Sequence, residues 1–173
     1  MRIIGGIHSG RKFYPPAKMP ARPTTDFAKE GLFNIIENNL DIPGLSTLDL
    51  FGDTGSLSYE LASRGAGELT LVEQDQGMVD FIKKTAAALH LGHFSVLKTD
   101  VFKFMERCTE QFDFIFAGPP YALKTIDRIP EQVFERELLA PGGWFVLEHT
   151  PRNDYKNFPG YRKQRNYGTT IFS

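Results

Sequence analysis

Acidic residues recur just after short apolar runs: Asp49 in LDLFGDTGS, Glu73 in LTLVEQD and Asp100 in LKTDV. A carboxylate such as Glu73 can accept both hydroxyl protons of a ribose, and Asp100 can accept from an adenine amino group. Each also has a plainer use, Glu73 as a charge at a helix N-terminus and Asp100 as a helix cap. Three of them in succession favour a nucleoside more than any one does. Between the first two lies the loop Phe51, Gly52, Asp53, Thr54, Gly55 and Ser56, whose small residues allow a tight turn that brings backbone close to a ligand. The GxGxxG spacing of a dinucleotide site is absent. A further segment, Gly118, Pro119, Pro120 and Tyr121, follows the apolar run FDFIFA. Standing alone it reads as a proline turn, yet its ring could stack on a base drawn out of a helix. His8, His90, His93 and His149 lack partners at metal-ligand spacing, so no metal is expected. Cys108 follows Val101, Phe104 and Met105 at helical spacing and reads as part of a buried stripe.

These residues need elements to hold them, and from Ser46 onward the chain alternates short apolar runs with amphipathic stretches. STLDLF, ELTLVE, FSVLKT, FDFIFA and GGWFVLEH read as strands. SLSYELASRG, QGMVDFIKKTAAALH, VFKFMERC and a stretch from Arg128 to Leu139 read as helices. Such alternation predicts a mostly parallel sheet covered on both faces, with ligands beyond the carboxyl ends of the strands. Tyr161, Tyr167, Thr169, Thr170, Ile171 and Phe172 could add strands at the sheet edge. Ahead of this core, RIIGGIHSGRKFYPP predicts a β-hairpin. A helix follows, capped by Thr25 or Asp26, with Phe27, Leu32, Phe33, Ile36 and Leu40 on its apolar face.

With 173 residues, 41% of them hydrophobic, one domain over 1–173 is expected, divided into an arm (1–25) and a core (26–173). No apolar run approaches the roughly 20 residues of a membrane span, and no signal-peptide pattern is present; a cytoplasmic monomer is the expectation. The net charge of −1 averages over an uneven distribution. Before Gly31 stand Arg2, Arg11, Lys12, Lys18, Arg22 and Lys29 against Asp26 and Glu30, and the stretch after Thr150 is also basic. Such ends suit a polyanion partner, although charge runs are usually solvated surface.

The segments RIIGG, GRKF, RPTTDFAKEGLFNII, LDLFGDTGSLSYELASRGA, LVEQD, LKTDVFKF, FDFIFAGPPYAL and GGWFVLEH, in this order and spacing, resemble the RsmD-type family of 16S ribosomal RNA guanine-N2 methyltransferases. The resemblance implies an α/β, Rossmann-like class I methyltransferase with a seven-stranded sheet and an N-terminal hairpin. It implies S-adenosylmethionine as cofactor, held by Asp49, Phe51, Gly52, Asp53, Thr54, Gly55 and Ser56, with Glu73 and Gln74 at the ribose and Asp100 and Val101 at the adenine. It places the target base at Gly118, Pro119, Pro120 and Tyr121. It gives 16S rRNA, or an assembly intermediate of the small ribosomal subunit, to Arg2, Arg11, Lys12, Arg22, Thr24 and Thr25. Two positions depart from the family pattern: Gly118 stands where Asp or Asn is usual, and Asp53 where Gly is usual. The residues therefore leave two further readings open, a relative that binds rRNA without catalysis and an amino-methyltransferase with another substrate.

Overall fold

The computed structural model describes residues 1–17 and 23–173. Its elements, in order, are α1 (Asp26–Asn39), β1 (Thr47–Leu50), α2 (Ser56–Ser63), β2 (Leu69–Glu73), α3 (Gln76–Ala88), β3 (Phe94–Lys98), α4 (Val101–Arg107), β4 (Phe112–Ala117), α5 (Arg128–Glu135), β5 (Leu139–His149), β6 (Arg165–Tyr167) and β7 (Thr170–Phe172). One seven-stranded sheet runs β3-β2-β1-β4-β5-β7-β6. Neighbours among β1 to β5 pair in parallel, and β7 pairs antiparallel with both β5 and β6. The expected Rossmann-like architecture is therefore present, including edge strands from the tail. Strand order reverses between β1 and β4, the position at which doubly wound sheets open a crevice.

Register fixes which loops meet there. Leu50 pairs with Ala117, and Ala117 with Leu147. The residues following these three strand positions are Phe51, Gly118 and Glu148, so three chain segments converge at the carboxyl ends. Buried Leu48, Leu50, Ile115, Ala117 and Leu147 form one apolar layer with α4 and α5, while Phe114, Phe116 and Val146 pack on the opposite face against α1 and α2. The 2-residue alternation of the strands thus serves two cores at once.

Local differences from the sequence reading have identifiable causes. Thr25 is the cap of α1, its hydroxyl accepting from the Ala28 amide at 3.2 Å. Ala28, Leu32, Phe33 and Ile36 set the buried stripe, which leaves Phe27 71% exposed with its ring edge-on to Tyr167. Placing Phe27 on the apolar face is thereby corrected. Helix α5 stops at Glu135 because Glu137 turns left-handed (φ 53°) and the Leu138 amide reaches back to the Val133 carbonyl, starting β5 earlier than expected. Cys108 caps α4 and is partly buried against the core, where burial raises its thiol pKa.

The N-terminal segment folds back on itself through one antiparallel bridge, Arg2 to Lys12, flanked by backbone bonds from Ile3 and Phe13 to Arg11 and Met1. The pairing does not lengthen into strands because the Ile4, Gly5, Ile7 and His8 amides are engaged by α2. Ile4 and Gly5 donate to the two oxygens of Glu60 at 2.9 and 2.8 Å, and His8 donates to Ser63 Oγ at 2.9 Å. Glu60 is fully buried, and it also holds Arg64 Nε at 2.9 Å and Lys29 Nζ at 3.5 Å. Lys29, counted among the basic N-terminal residues, is thus an interior clamp between α1 and α2; burial lowers its pKa, opposed by Glu60.

Removing one partner of a buried charge network leaves the others uncompensated, at a cost of about 3–5 kcal/mol. Glu60→Gln is expected to destabilise the protein by that amount in chemical denaturation and to speed hydrogen exchange at Ile4 and Gly5. Unchanged stability would show that the clamp carries no net energy.

Candidate active site

Beyond the carboxyl end of β1, the chain turns through a left-handed sequence in which Phe51, Asp53 and Gly55 have φ of 65°, 52° and 81°. Two of these are non-glycine residues, a conformation that is uncommon and characteristic of functional loops. Asp at position 53 is among the residues that tolerate it best. Glycine is required at 52 for space, since a Cβ there would lie 2.1 Å from Leu71 Cδ2. The turn is braced by Glu73 at the end of β2: Oε1 accepts the Asp53 amide and Oε2 the Asp75 amide, both at 2.8 Å. Glu73 therefore links the first and second strand-end loops before any ligand arrives, with lone pairs left on each oxygen.

A cavity of ≈ 250 Å³ opens beside this turn. It brings Asp49, Phe51, Gly52, Asp53, Thr54 and Ser56 together with all four residues of the Gly118–Tyr121 segment. Two stretches of chain about 65 residues apart, each singled out from its own sequence pattern, thus share one space. Gly55 caps the following helix and supports the turn from outside the lining, and Glu73 acts through its bond to Asp53. Gln74 is exposed, Val101 is buried in the core, and Asp100 caps α4 by accepting from the Phe102 and Lys103 amides. None of these three reaches the cavity.

The N-terminal candidates divide in the same way. Thr24 lines the cavity, while Thr25 caps α1. Arg2 is paired with Asp26 at 3.0 Å on the surface, and Arg11 and Lys12 are exposed on the same arm. Arg22, like Lys18, lies outside the described residues.

The sequence reading missed Glu148. This side chain, 5% exposed at the end of β5, lines the cavity, and its Oε1 accepts the Thr24 hydroxyl at 2.6 Å. The available signal was its position: a fourth acidic residue closing a strand, in GGWFVLEH. Asp49, 2% exposed, holds Ser58 Oγ at 2.8 Å. Among the described residues no Lys or Arg lines the cavity. Burial, and secondarily mutual repulsion with Glu73 and Glu148, raises the Asp53 carboxyl to about 6. Burial likewise pushes Asp49 well up, opposed by Ser58, and pushes Glu148 up, opposed by Thr24. The walls are negatively biased and short of a cation, which suits a ligand that brings positive charge next to polar hydrogens.

A raised carboxyl pKa has a definite sign in stability. The folded state holds the Asp53 proton more tightly than the unfolded chain, so ionisation penalises folding progressively as pH rises from about 4 through about 6, and fully above it. Asp53→Asn keeps the left-handed turn accessible and removes the charge. The variant is expected to match the native protein near pH 4 in thermal unfolding and to exceed it above pH 6. A pH-independent difference would exclude charge at Asp53 as the cause.

The whole chain, residues 1–173, matches the family described as "Conserved hypothetical protein 95". It is 31% identical over 148 residues to the Ribosomal RNA small subunit methyltransferase D of Escherichia coli K12, covering 86% of this chain and 71% of that protein. A Haemophilus influenzae protein of the same name is 30% identical over 152 residues, with 86% and 78% covered. The solved structure of a hypothetical protein from Thermus thermophilus superposes with a TM-score of 0.87 at 28% identity, over 100% of this chain and 97% of that one. Motif order, sheet topology and full-length similarity agree, and the chain belongs to this family of RsmD-type methyltransferases.

Proposed function

We propose that the protein transfers a methyl group from S-adenosylmethionine to the exocyclic N2 of a guanine in 16S ribosomal RNA. The observation that carries this reading is the shared cavity, in which the left-handed turn after β1 faces the Gly118–Tyr121 segment. Relatives about 30% identical are named for methylation of small-subunit rRNA.

The donor set fits the cofactor. S-adenosylmethionine carries a sulfonium, an ammonium and a carboxylate, a net positive charge, and the lining offers Asp49, Asp53 and Glu148 without a basic residue among those described. At ≈ 250 Å³ the cavity is smaller than the roughly 300–1,000 Å³ of sites that enclose a whole ligand, so it accommodates the methionine end and the target amine. The nucleoside then lies outward, where Glu73 accepts from the ribose and Asp100 keeps an acceptor free beside its capping bonds. When bound, the cofactor supplies an electrophilic methyl carbon: the N–C bond forms as the C–S pair leaves with sulfur, and the nitrogen releases a proton.

The chain's own contribution is alignment. A guanine amine is a weak nucleophile because its lone pair is delocalised, so holding it in line with the methyl carbon supplies much of the acceleration. Pro119 and Pro120 fix the backbone of the base segment, and Tyr121, 42% exposed at the cavity rim, offers a ring for stacking. Arg11 and Lys12 extend the positive arm along a phosphate backbone, with Arg2, Arg22, Thr24 and Thr25 in the same segment. The reading includes a cytoplasmic monomer that meets free rRNA or a small-subunit precursor.

Methyl-labelled cofactor with naked rRNA, or with small subunits from cells lacking the protein, tests this directly. Label is expected on N2 of a guanine; absence of label from every guanine overturns the reading. Glu73→Gln keeps the size but loses one backbone acceptor and the charge at the ribose, and is expected to raise the cofactor Kd about ten- to a hundredfold by calorimetry. An unchanged Kd would remove Glu73 from the ribose.

A further inference from the structure

Gly118, directly before Pro119 and Pro120, presents no side chain to the cavity that it lines. The base segment therefore has no carboxylate or amide side chain of its own; its side-chain acceptor is the Tyr121 hydroxyl, 3.4 Å from the Thr170 hydroxyl. The register of the sheet brings a carboxylate in from another strand. Ala117 pairs with Leu147, so Gly118 is followed across the sheet by Glu148. A Cβ built on Gly118 would lie 3.8 Å from Glu148 Oε2 and 3.0 Å from Phe116 Cε1. The Glu148 carboxylate thus reaches the space into which a side chain at 118 would extend.

The bonding of Glu148 divides between its two oxygens. Oε1 accepts the Thr24 hydroxyl, which orients the group; Oε2 has no hydrogen-bond partner among the described residues. Among the described residues no cation flanks it, and burial dominates its electrostatic environment, opposed by the Thr24 hydroxyl. A carboxylate buried to 5% exposure with one oxygen facing a cavity is costly as a purely structural device, because an apolar residue or a hydrogen-bonded amide would avoid desolvating a charge. Glu60, also a buried glutamate, shows what a structural carboxylate looks like here: both oxygens are bonded and two cations flank it.

We propose that Glu148 is the amine acceptor of this site: it takes the place of the side chain missing at Gly118, binds an N2 hydrogen of the target guanine through Oε2, and orients the nitrogen lone pair. Thr24 is the positioning residue that fixes the carboxylate. As the N–C bond forms, the nitrogen becomes cationic, and its proton passes to Oε2 and from there to solvent while the C–S pair stays with sulfur. The proposal rests on the guanine-N2 reading above. It goes beyond that reading by assigning the acceptor to β5 instead of the base segment.

The test uses Glu148→Gln in the full chain, which retains an acceptor for Thr24 and replaces the other oxygen with a donor that opposes the amine. Kinetics with rRNA are measured alongside equilibrium binding of matched oligonucleotides carrying guanine or inosine at the target position; inosine lacks only the amine. The native protein is expected to bind the guanine oligonucleotide more tightly. Glu148→Gln is expected to lose that preference and to lower kcat about 100-fold, with the cofactor KM changed less than threefold. Adding Gly118→Asp to Glu148→Gln restores a carboxylate to the same space and is expected to recover at least tenfold of the lost kcat. Native kcat and preference in folded Glu148→Gln overturn the assignment while leaving the methyltransferase reading standing. A native protein that prefers guanine over inosine yet transfers no methyl group overturns the activity, and loss of the preference in Glu148→Gln then still supports Glu148 as the amine acceptor.

Discussion

Carboxylates held out of water need partners, and most of this structure can be read from where those partners are found. At Glu60 they are all within the chain: Lys29 and Arg64 supply charge, and the Ile4 and Gly5 amides supply hydrogen bonds. At Asp49, Asp53 and Glu148 the described residues supply only a hydroxyl or nothing, and burial drives all three carboxyl pKa values upward. The same side-chain chemistry therefore closes one end of α2 as structure and leaves the other end open for a ligand. The distinction is energetic, since a satisfied buried acid is complete while an unsatisfied one is complementary to something absent from the chain.

This division also explains how the N-terminal arm can be both firmly attached and chemically involved. Its backbone is fixed through Glu60 and Ser63, independently of any strand ladder. Further along, Thr24 passes over the sheet end to reach Glu148, and Thr25 one residue later starts α1. A single short sequence, Pro23-Thr24-Thr25-Asp26, thereby lines the cavity, caps a helix and pairs with Arg2. The conversion of positive residues to interior or paired roles, Lys29 and Arg2 among them, leaves a smaller free basic surface than a count of charges suggests.

The architecture was legible in the sequence because parallel strands and amphipathic helices alternate with little ambiguity, and each strand from Ser46 to His149 was placed to within a few residues. The loop after β1 and the Gly118–Tyr121 segment were legible through small residues and prolines, whose backbone constraints are local. Glu148 was less so: its position closing an apolar run is a local signal, but the segments that it meets depend on β5 adjoining β4 through a crossover. The hairpin fold-back is present, but its ladder is limited to the Arg2–Lys12 bridge and its flanking bonds for the converse reason. Its alternation suggested strands, but its amides are satisfied by the side chains of α2, more than fifty residues away. Phe27 fell off its expected face because a buried lysine, which pattern reading assigns to solvent, sets the phase of α1.

The bond between Thr24 and Glu148 joins positions separated by 124 residues. Contacts this distant in sequence form late, since most of the chain must be ordered before they can close. During synthesis the turn after β1 and the Gly118–Tyr121 segment both emerge before the end of β5, so a growing chain carries both before the cavity has its far wall. Of the elements that line the cavity, β5 is thus the last to be made, and its Glu148 completes the lining.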